Sequence, residues 1–351
     1  MAIRYILSSI ARAAIPAAAL IFASFTPAFA QGNEPQQDHE LQSSFDSAFG
    51  TQARAPSTFE AIYSSSFEQR IAELADASQG RIGVAAWDLA TGEQVMVLGD
   101  QLFPMASTSK IAVAAKYLEM VEQGRYSLTT EFPLLIPVRS KKFSSAAAPV
   151  RNGNSMAAID LIEIMITRSS NPATDALLKA VGGPSAVTDW MRRQGITDFS
   201  IDRDIATLVR DDGEFDPANW IDPRDAATPK AMVRLLAGLY RGEYLSDESR
   251  RILLGAMSRT VTGKRRIIAN MPGEAKVSHK TGSLNNTSSD IGLIESPDGR
   301  AIAVAIYVTG QGTRRAREAR IASIARALYD GFGARARQDR NWVSAPRLGG
   351  G

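Results

Sequence analysis

Three short clusters in this sequence bring hydroxyl, amine and amide groups together at spacings that suit acyl transfer. Ser107-Thr108-Ser109-Lys110 sits where a loop gives way to an apolar helical pattern. Residues three apart on a helix share a face, so Lys110 can reach the Ser107 hydroxyl. A serine hydroxyl attacks poorly until a neighbour accepts its proton. Lysine can be that neighbour only where burial and nearby cations lower its pKa, and the apolar helix supplies burial. At a helix start the Ser107 backbone N–H also lacks an intrahelical partner, so a developing oxyanion could use it.

Ser169-Ser170-Asn171 falls between two helical patterns. The Ser169 hydroxyl could relay a proton to a leaving nitrogen, and the Asn171 amide could hold a substrate amide carbonyl. Lys280-Thr281-Gly282-Ser283 ends a strand pattern. A cation beside a hydroxyl suits a substrate carboxylate. Gly282 admits a ligand close to the strand backbone, and the Ser283 N–H can complete an oxyanion hole. Each cluster alone has an ordinary structural reading: a capping serine with a solvated lysine, a helix-to-helix turn, an exposed strand end. Their joint occurrence, in this order and on these elements, carries the argument.

Composition narrows the chemistry further. The 351 residues contain two histidines and no cysteine, which excludes a zinc site built on three His or on Cys and His. A Ser-His-Asp triad would have to use His279, because His39 lies in a polar, Gln-rich stretch. No cofactor or metal is expected. The formal net charge of +3 is small, and the arginines concentrate toward the C-terminus, as on a solvated helix face. Nucleic acid is not an expected partner.

The elements that must position these groups follow from hydrophobic spacing. Residues 1–30 read as a signal peptide: Arg4 and Arg12, an apolar run from Ala13 to Phe25, then Ala28-Phe29-Ala30 at the cleavage point. The run is too short to span a bilayer, so an exported, monomeric periplasmic or secreted protein without a membrane span is expected. Residues 31–56 read as a flexible linker. From Ser57, apolar residues recur at helical spacing, and Arg81 to Leu98 reads as a hairpin. The middle is mainly helical, interrupted by a long Asp-, Gly- and Pro-rich connection from Asp202 to Asp225. Three short strands follow, Ala275 to Lys280, Ser289 to Glu295 and Ala301 to Thr309, then a helix from Gln311 to Tyr329, with a disordered tail expected over 334–351. Strands at both ends with helices between imply an α+β fold: an antiparallel sheet (about 57–106 and 260–333) flanked by helices, with an all-helical subdomain inserted (about 107–259).

The three clusters together resemble those of class A β-lactamases and penicillin-binding proteins. Phe103-Pro104-Met105-Ala106, Asp225-Ala226-Ala227-Thr228-Pro229 and Met271-Pro272 strengthen the likeness to class A, which spans roughly Ser57 to Gly333. The resemblance implies the β-lactamase/D,D-peptidase-like fold and attack by Ser107 on a β-lactam carbonyl. It also implies an Arg203–Asp225 ion pair, and Arg266 as a second cation on the ligand carboxylate. One departure bears on turnover. After Asp202-Arg203, Ile205 falls where class A enzymes carry the glutamate that activates the deacylating water, and Ser170 replaces a common Asp. Glu214 is then the first candidate base, with Asp212 and Asp216 behind it. If no such base exists, the alternative is a D,D-carboxypeptidase or peptidoglycan hydrolase acting on D-Ala-D-Ala peptides. A non-catalytic penicillin-binding sensor is the third reading.

Overall fold

In the computed structural model, residues 65–344 are described. The expected signal peptide and linker, and residues 345–351 of the expected tail, lie outside them.

Strand β9 (Ala301–Thr309) is apolar on both faces and entirely buried, so it needs cover on both sides. It lies at the centre of a five-stranded antiparallel sheet in the order β2 (Gln94–Val97), β1 (Ile82–Asp88), β9, β8 (Thr287–Glu295), β7 (Lys276–Leu284). Side chains alternate across a strand. Ile302, Val304, Ile306 and Val308 pack toward helix α1 (Ser66–Ala75) and the C-terminal helix, with Ile71, Ile324, Leu328 and Phe332. Ala303, Ala305 and Tyr307 face the larger core, which they share with the helix Pro229–Arg241 packed on the strand, with helix α2 (Lys110–Glu122) and with the rest of the helical subdomain.

Between the sheet's two sequence halves lie short β3 (Phe103–Pro104), α2, a hairpin of β4 (Glu131–Pro137) and β5 (Val150–Ala157), and α3 (Ala158–Thr167). They are followed by α4 (Asn171–Ala180), α5 (Pro184–Arg193), α6 (Ile205–Arg210), short β6 (Ala226–Ala227), α7 (Pro229–Arg241) and α8 (Asp247–Ser258). The β3–β6 pairing, Phe103 opposite Ala227, joins the strand before Ser107 to the end of the long connection.

Three elements differ from the sequence expectation. The β4–β5 hairpin interrupts a region read as helical; Pro133 and Pro137 punctuate one strand and Arg151-Asn152-Gly153-Asn154 fill the other, hiding the alternation. The connection read as aperiodic contains α6, capped by Asp204, whose side chain accepts from Thr207 N at 2.7 Å. The terminal helix α9 runs from Arg314 to Ser344, so the tail expected from Ala334 begins as helix.

Candidate active site

Ser107 stands in a 3-10 turn, Ala106–Ser109, that runs directly into α2. In 3-10 geometry residues i and i+3 eclipse, which puts the Ser107 and Lys110 side chains on the same side. The turn is strained, because Ala106 adopts φ 49°, a left-handed conformation that costs a residue with a Cβ about 1–3 kcal/mol. Several contacts impose it. Met105 N donates to Asp225 O at 3.0 Å, and Thr108 Oγ1 donates to Met105 O at 2.8 Å while lying 3.0 Å from the Tyr307 hydroxyl. Phe103 stacks on Tyr307 at 5.8 Å between ring centroids. The nucleophile turn is thereby bolted to the central strand.

Lys110 is fully buried at the head of α2. Its ammonium donates to Ser169 O at 2.8 Å, Ser169 Oγ at 3.2 Å and Asn171 Oδ1 at 2.7 Å; no hydrogen bond joins it to Ser107. Ser169 is itself held left-handed, at φ 60°. From the other side Lys280, also fully buried, donates to Ser169 Oγ at 3.1 Å and Thr281 O at 2.8 Å. The Ser169 hydroxyl therefore sits between two buried amines contributed by a helix and a strand. Ser170 caps α4 by accepting from Ala173 N at 3.3 Å, which fixes Asn171 at the helix start.

The electrostatics suit bases rather than spectators. Burial first, then the charge of Lys280, pushes Lys110 well below the ordinary lysine range, with Asp175 pulling it back up. Burial takes Lys280 down to about 7, opposed by Asp290 and assisted by Arg266. The carboxylate whose charge reaches Lys110 is thus Asp175, one turn beyond Asn171 on the same helix face. Asp175 is buried and accepts from Ile205 N at 2.7 Å and Ala206 N at 2.9 Å, tying α4 to the start of α6. Burial pushes its carboxyl up to about 6 against those two bonds. Sequence reading missed it; the signal available was its i+4 spacing from Asn171.

The Lys280 cluster lies inside β7 rather than at its end, and the strand continues to Leu284. Lys280 and Gly282 face the helical side. A Cβ on Gly282 would lie 2.7 Å from Met105 O and 3.1 Å from Ala106 Cβ, so the missing side chain lets the strand approach the nucleophile turn. Thr281, between them, brings its hydroxyl to within 2.8 Å of that of Thr262. Ser283, exposed, accepts through Oγ from Arg266 Nη2 at 2.7 Å.

Arg266 is placed differently from the carboxylate-gripping role that the resemblance implied. It is 1% exposed and all five N–H donors are used: Nε and Nη2 on Glu318 (3.3 and 3.2 Å), Nη1 on Gly282 O and Ser289 O (2.7 and 2.6 Å), and Nη2 on Ser283 Oγ. No donor is left for a ligand. Arg266 instead clamps β7, β8 and α9 together beneath the strand. His279 is likewise committed, its Nδ1 2.9 Å from the Asp290 carboxylate in a fully buried pair.

Along the long connection, Arg203 Nε donates to Asp225 Oδ2 at 2.6 Å, closing the loop as expected. Asp225 Oδ1 also accepts from the backbone N–H groups of Asp202 and Arg203. Glu214 pairs with Arg224 at 2.6 Å, while Asp212 and Asp216 hold Asn285 and Asn286 in the β7–β8 turn. These acids pin the loop; none of them touches Ser107 or Lys110. Ile205 is buried at the α6 start, its side chain apolar where a base was sought.

A family model described as "Beta-lactamase enzyme family" matches residues 66–332. Among curated relatives, the extended-spectrum β-lactamase PER-1 of Pseudomonas aeruginosa is 28% identical over 295 residues, covering 81% of this chain and 90% of its own. β-Lactamase CTX-M-8 of Citrobacter amalonaticus is 31% identical over 271 residues, 76% of this chain and 89% of its own. Solved structures are similar as well. A β-lactamase from Chitinophaga pinensis matches with TM-score 0.67 and 27% identity, covering 76% of this chain and 100% of that one. An ancestral (GNCA) class A β-lactamase matches with TM-score 0.65 and 35% identity, at the same coverages.

Proposed function

Because the chain belongs to the β-lactamase enzyme family, we propose that it is a serine hydrolase that opens β-lactam rings through an acyl-enzyme on Ser107. The observation that carries this reading is the Ser169 hydroxyl held between two buried lysines of lowered pKa. Lys110, neutral, takes the Ser107 proton as Oγ attacks the lactam carbonyl. The backbone N–H groups of Ser107 and Ser283 receive the oxyanion. As the C–N bond breaks, Ser169 passes a proton to the ring nitrogen and is reprotonated from Lys110. Asn171 steadies the acylamide, and Lys280 with Thr281 holds the ring carboxylate. Arg266 acts through Ser283 and the Gly282 carbonyl, as a positioning residue.

Water then attacks the ester carbonyl, releasing the opened acid and restoring Ser107. With Ile205 apolar and Glu214 engaged by Arg224, this step is the slow one; release of Glu214 from Arg224 is the route by which a described loop acid would assist it. Relatives named β-lactamases do not favour the D,D-carboxypeptidase or non-catalytic sensor readings. Export to the periplasm with cleavage after Ala30, and action as a monomer, belong to the same proposal.

Turnover of a chromogenic cephalosporin tests it. Wild type should form a Ser107 adduct visible by intact-mass spectrometry and then release product repeatedly, and Ser107→Ala should do neither. A single stoichiometric burst with no further product would remove hydrolysis from the proposal.

A further inference from the structure

Beside the carboxylate-binding side of the site lies an open cavity of about 630 Å³ lined by Gly263, Lys264, Arg265, Thr313, Arg314, Arg315 and Glu318. Four of these residues are cations and all four are exposed. The single acid is already spent: Glu318 is shared between Arg266 and Arg314. Lys264, Arg265 and Arg315 have no acidic partner among the described residues. Such a concentration of unpaired charge is costly by self-repulsion, and two buried arginines, Arg266 and Arg317, add to it from below.

The cavity adjoins the chemistry. Gly263, on its wall, presses on Thr281: a Cβ there would lie 2.4 Å from Thr281 Cγ2. The adjacent Thr262 hydroxyl meets that of Thr281 at 2.8 Å. In the function proposed above, on which this inference rests, Thr281 and Lys280 hold the ring carboxylate. In a cephalosporin the carbon that bears this carboxylate is bonded to C3, so a C3 substituent must leave the ring next to Thr281, where the cavity opens.

We propose that Lys264, Arg265 and Arg315 form a subsite for an anionic C3 substituent, making the protein selective for β-lactams that carry a second negative charge on the carboxylate side. The charges act through water-filled space, by steering and by weak pairing, so the effect falls with ionic strength. Three unit charges about 8 Å away at a water-like dielectric correspond to about a tenfold preference.

The test uses three cephalosporins that share one acyl side chain and differ only in a neutral, anionic or cationic C3 group. The second-order rate of Ser107 acylation is measured for wild type and for the triple variant K264Q/R265Q/R315Q. Wild type should acylate in the order anionic, neutral, cationic. The anionic-to-neutral ratio should drop about tenfold in the triple variant, with the neutral rate within about twofold of wild type, and 0.5 M salt should erode the ratio in wild type alone. A ratio unchanged by the three substitutions overturns the subsite, as does equal slowing of all three substrates. Failure of the neutral compound to acylate Ser107 at all would instead overturn the function on which the subsite depends.

Discussion

Replacing Lys280 by methionine should change the pH dependence of stability in a way that isolates the buried amine. In the fold this ammonium drops from 10.5 to about 7, chiefly because it is entirely buried. The unfolded chain titrates the same group at its ordinary value. Between about pH 7 and 10.5 the folded protein therefore binds fewer protons than the unfolded one, and this group makes stability rise with pH through that window. Below about pH 7 the charged amine is carried inside the fold, at a cost of about 5 kcal/mol relative to its neutral form. Methionine escapes that cost, but gives up the hydrogen bonds to Ser169 Oγ and Thr281 O, about 1–1.5 kcal/mol each.

Lys280→Met should then be more stable than wild type by about 2 kcal/mol at pH 6 and less stable by a similar amount at pH 10. With about 2–4 °C per kcal/mol for a domain of this size, the melting-temperature difference should swing by about 10 °C and change sign. Near-UV circular dichroism melts of both proteins from pH 6 to 10 measure it. Lys110 titrates in both, so the readout is the difference between proteins at each pH. Acylation should meanwhile fall about 100-fold, since the amine that the incoming ring carboxylate would hold protonated is gone. A melting-temperature difference that stays constant from pH 6 to 10 would refute the claim that burial strips this lysine of its proton.

Asp175→Ala should cost about 2–5 kcal/mol in urea melts, because the Ile205 and Ala206 N–H groups lose their acceptors. Folding raises this carboxyl to about 6, so its contribution to stability weakens as pH rises from about 4 to 6, and the variant should lose that slope. Gly282→Ala places a Cβ 2.4 Å from Ser289 Oγ and 2.7 Å from Met105 O, so β7 must back away from the nucleophile turn; acylation should fall at least about tenfold, and an unaltered rate would contradict the close approach. Ile205→Glu should shorten the acyl-enzyme lifetime by about 10²-fold or more while leaving acylation within a few-fold, as followed by time-resolved mass spectrometry.

The three clusters were readable because chemistry restricts which side chains can occupy them, and each was short enough to read as a unit. Ser107 and Lys110 lie three residues apart, Ser169 and Asn171 two, and Lys280 to Ser283 are consecutive. What sequence could not supply was the state of each group. Arg266 looked available for a carboxylate, yet its partners come from residues 16 to 52 positions away, and only the fold shows every donor taken. Asp175 was invisible for the converse reason: an acid amid helical residues reads as solvated until α6 is seen to lay two backbone N–H groups on it. The β4–β5 hairpin was lost to its prolines and its polar second strand, whereas β9, all apolar and bounded by turns, was placed from Ala301 to Thr309 without error.

The buried cations explain how one fold separates a base from a fixed charge. Arg266, Lys280 and Lys110 are all enclosed, and each is accommodated differently. Arg266 has Glu318 in direct contact, and a guanidinium so paired stays charged and clamps. Neither lysine ion-pairs directly among the described residues; Asp290 and Asp175 act on them only through space. A remote carboxylate softens the cost of burial without removing it, so the cheaper remedy is to release the proton. Moving Asp175 into contact with Lys110 would therefore not improve the site. It would fix the proton on nitrogen, and Ser107 would have nothing to give its own proton to.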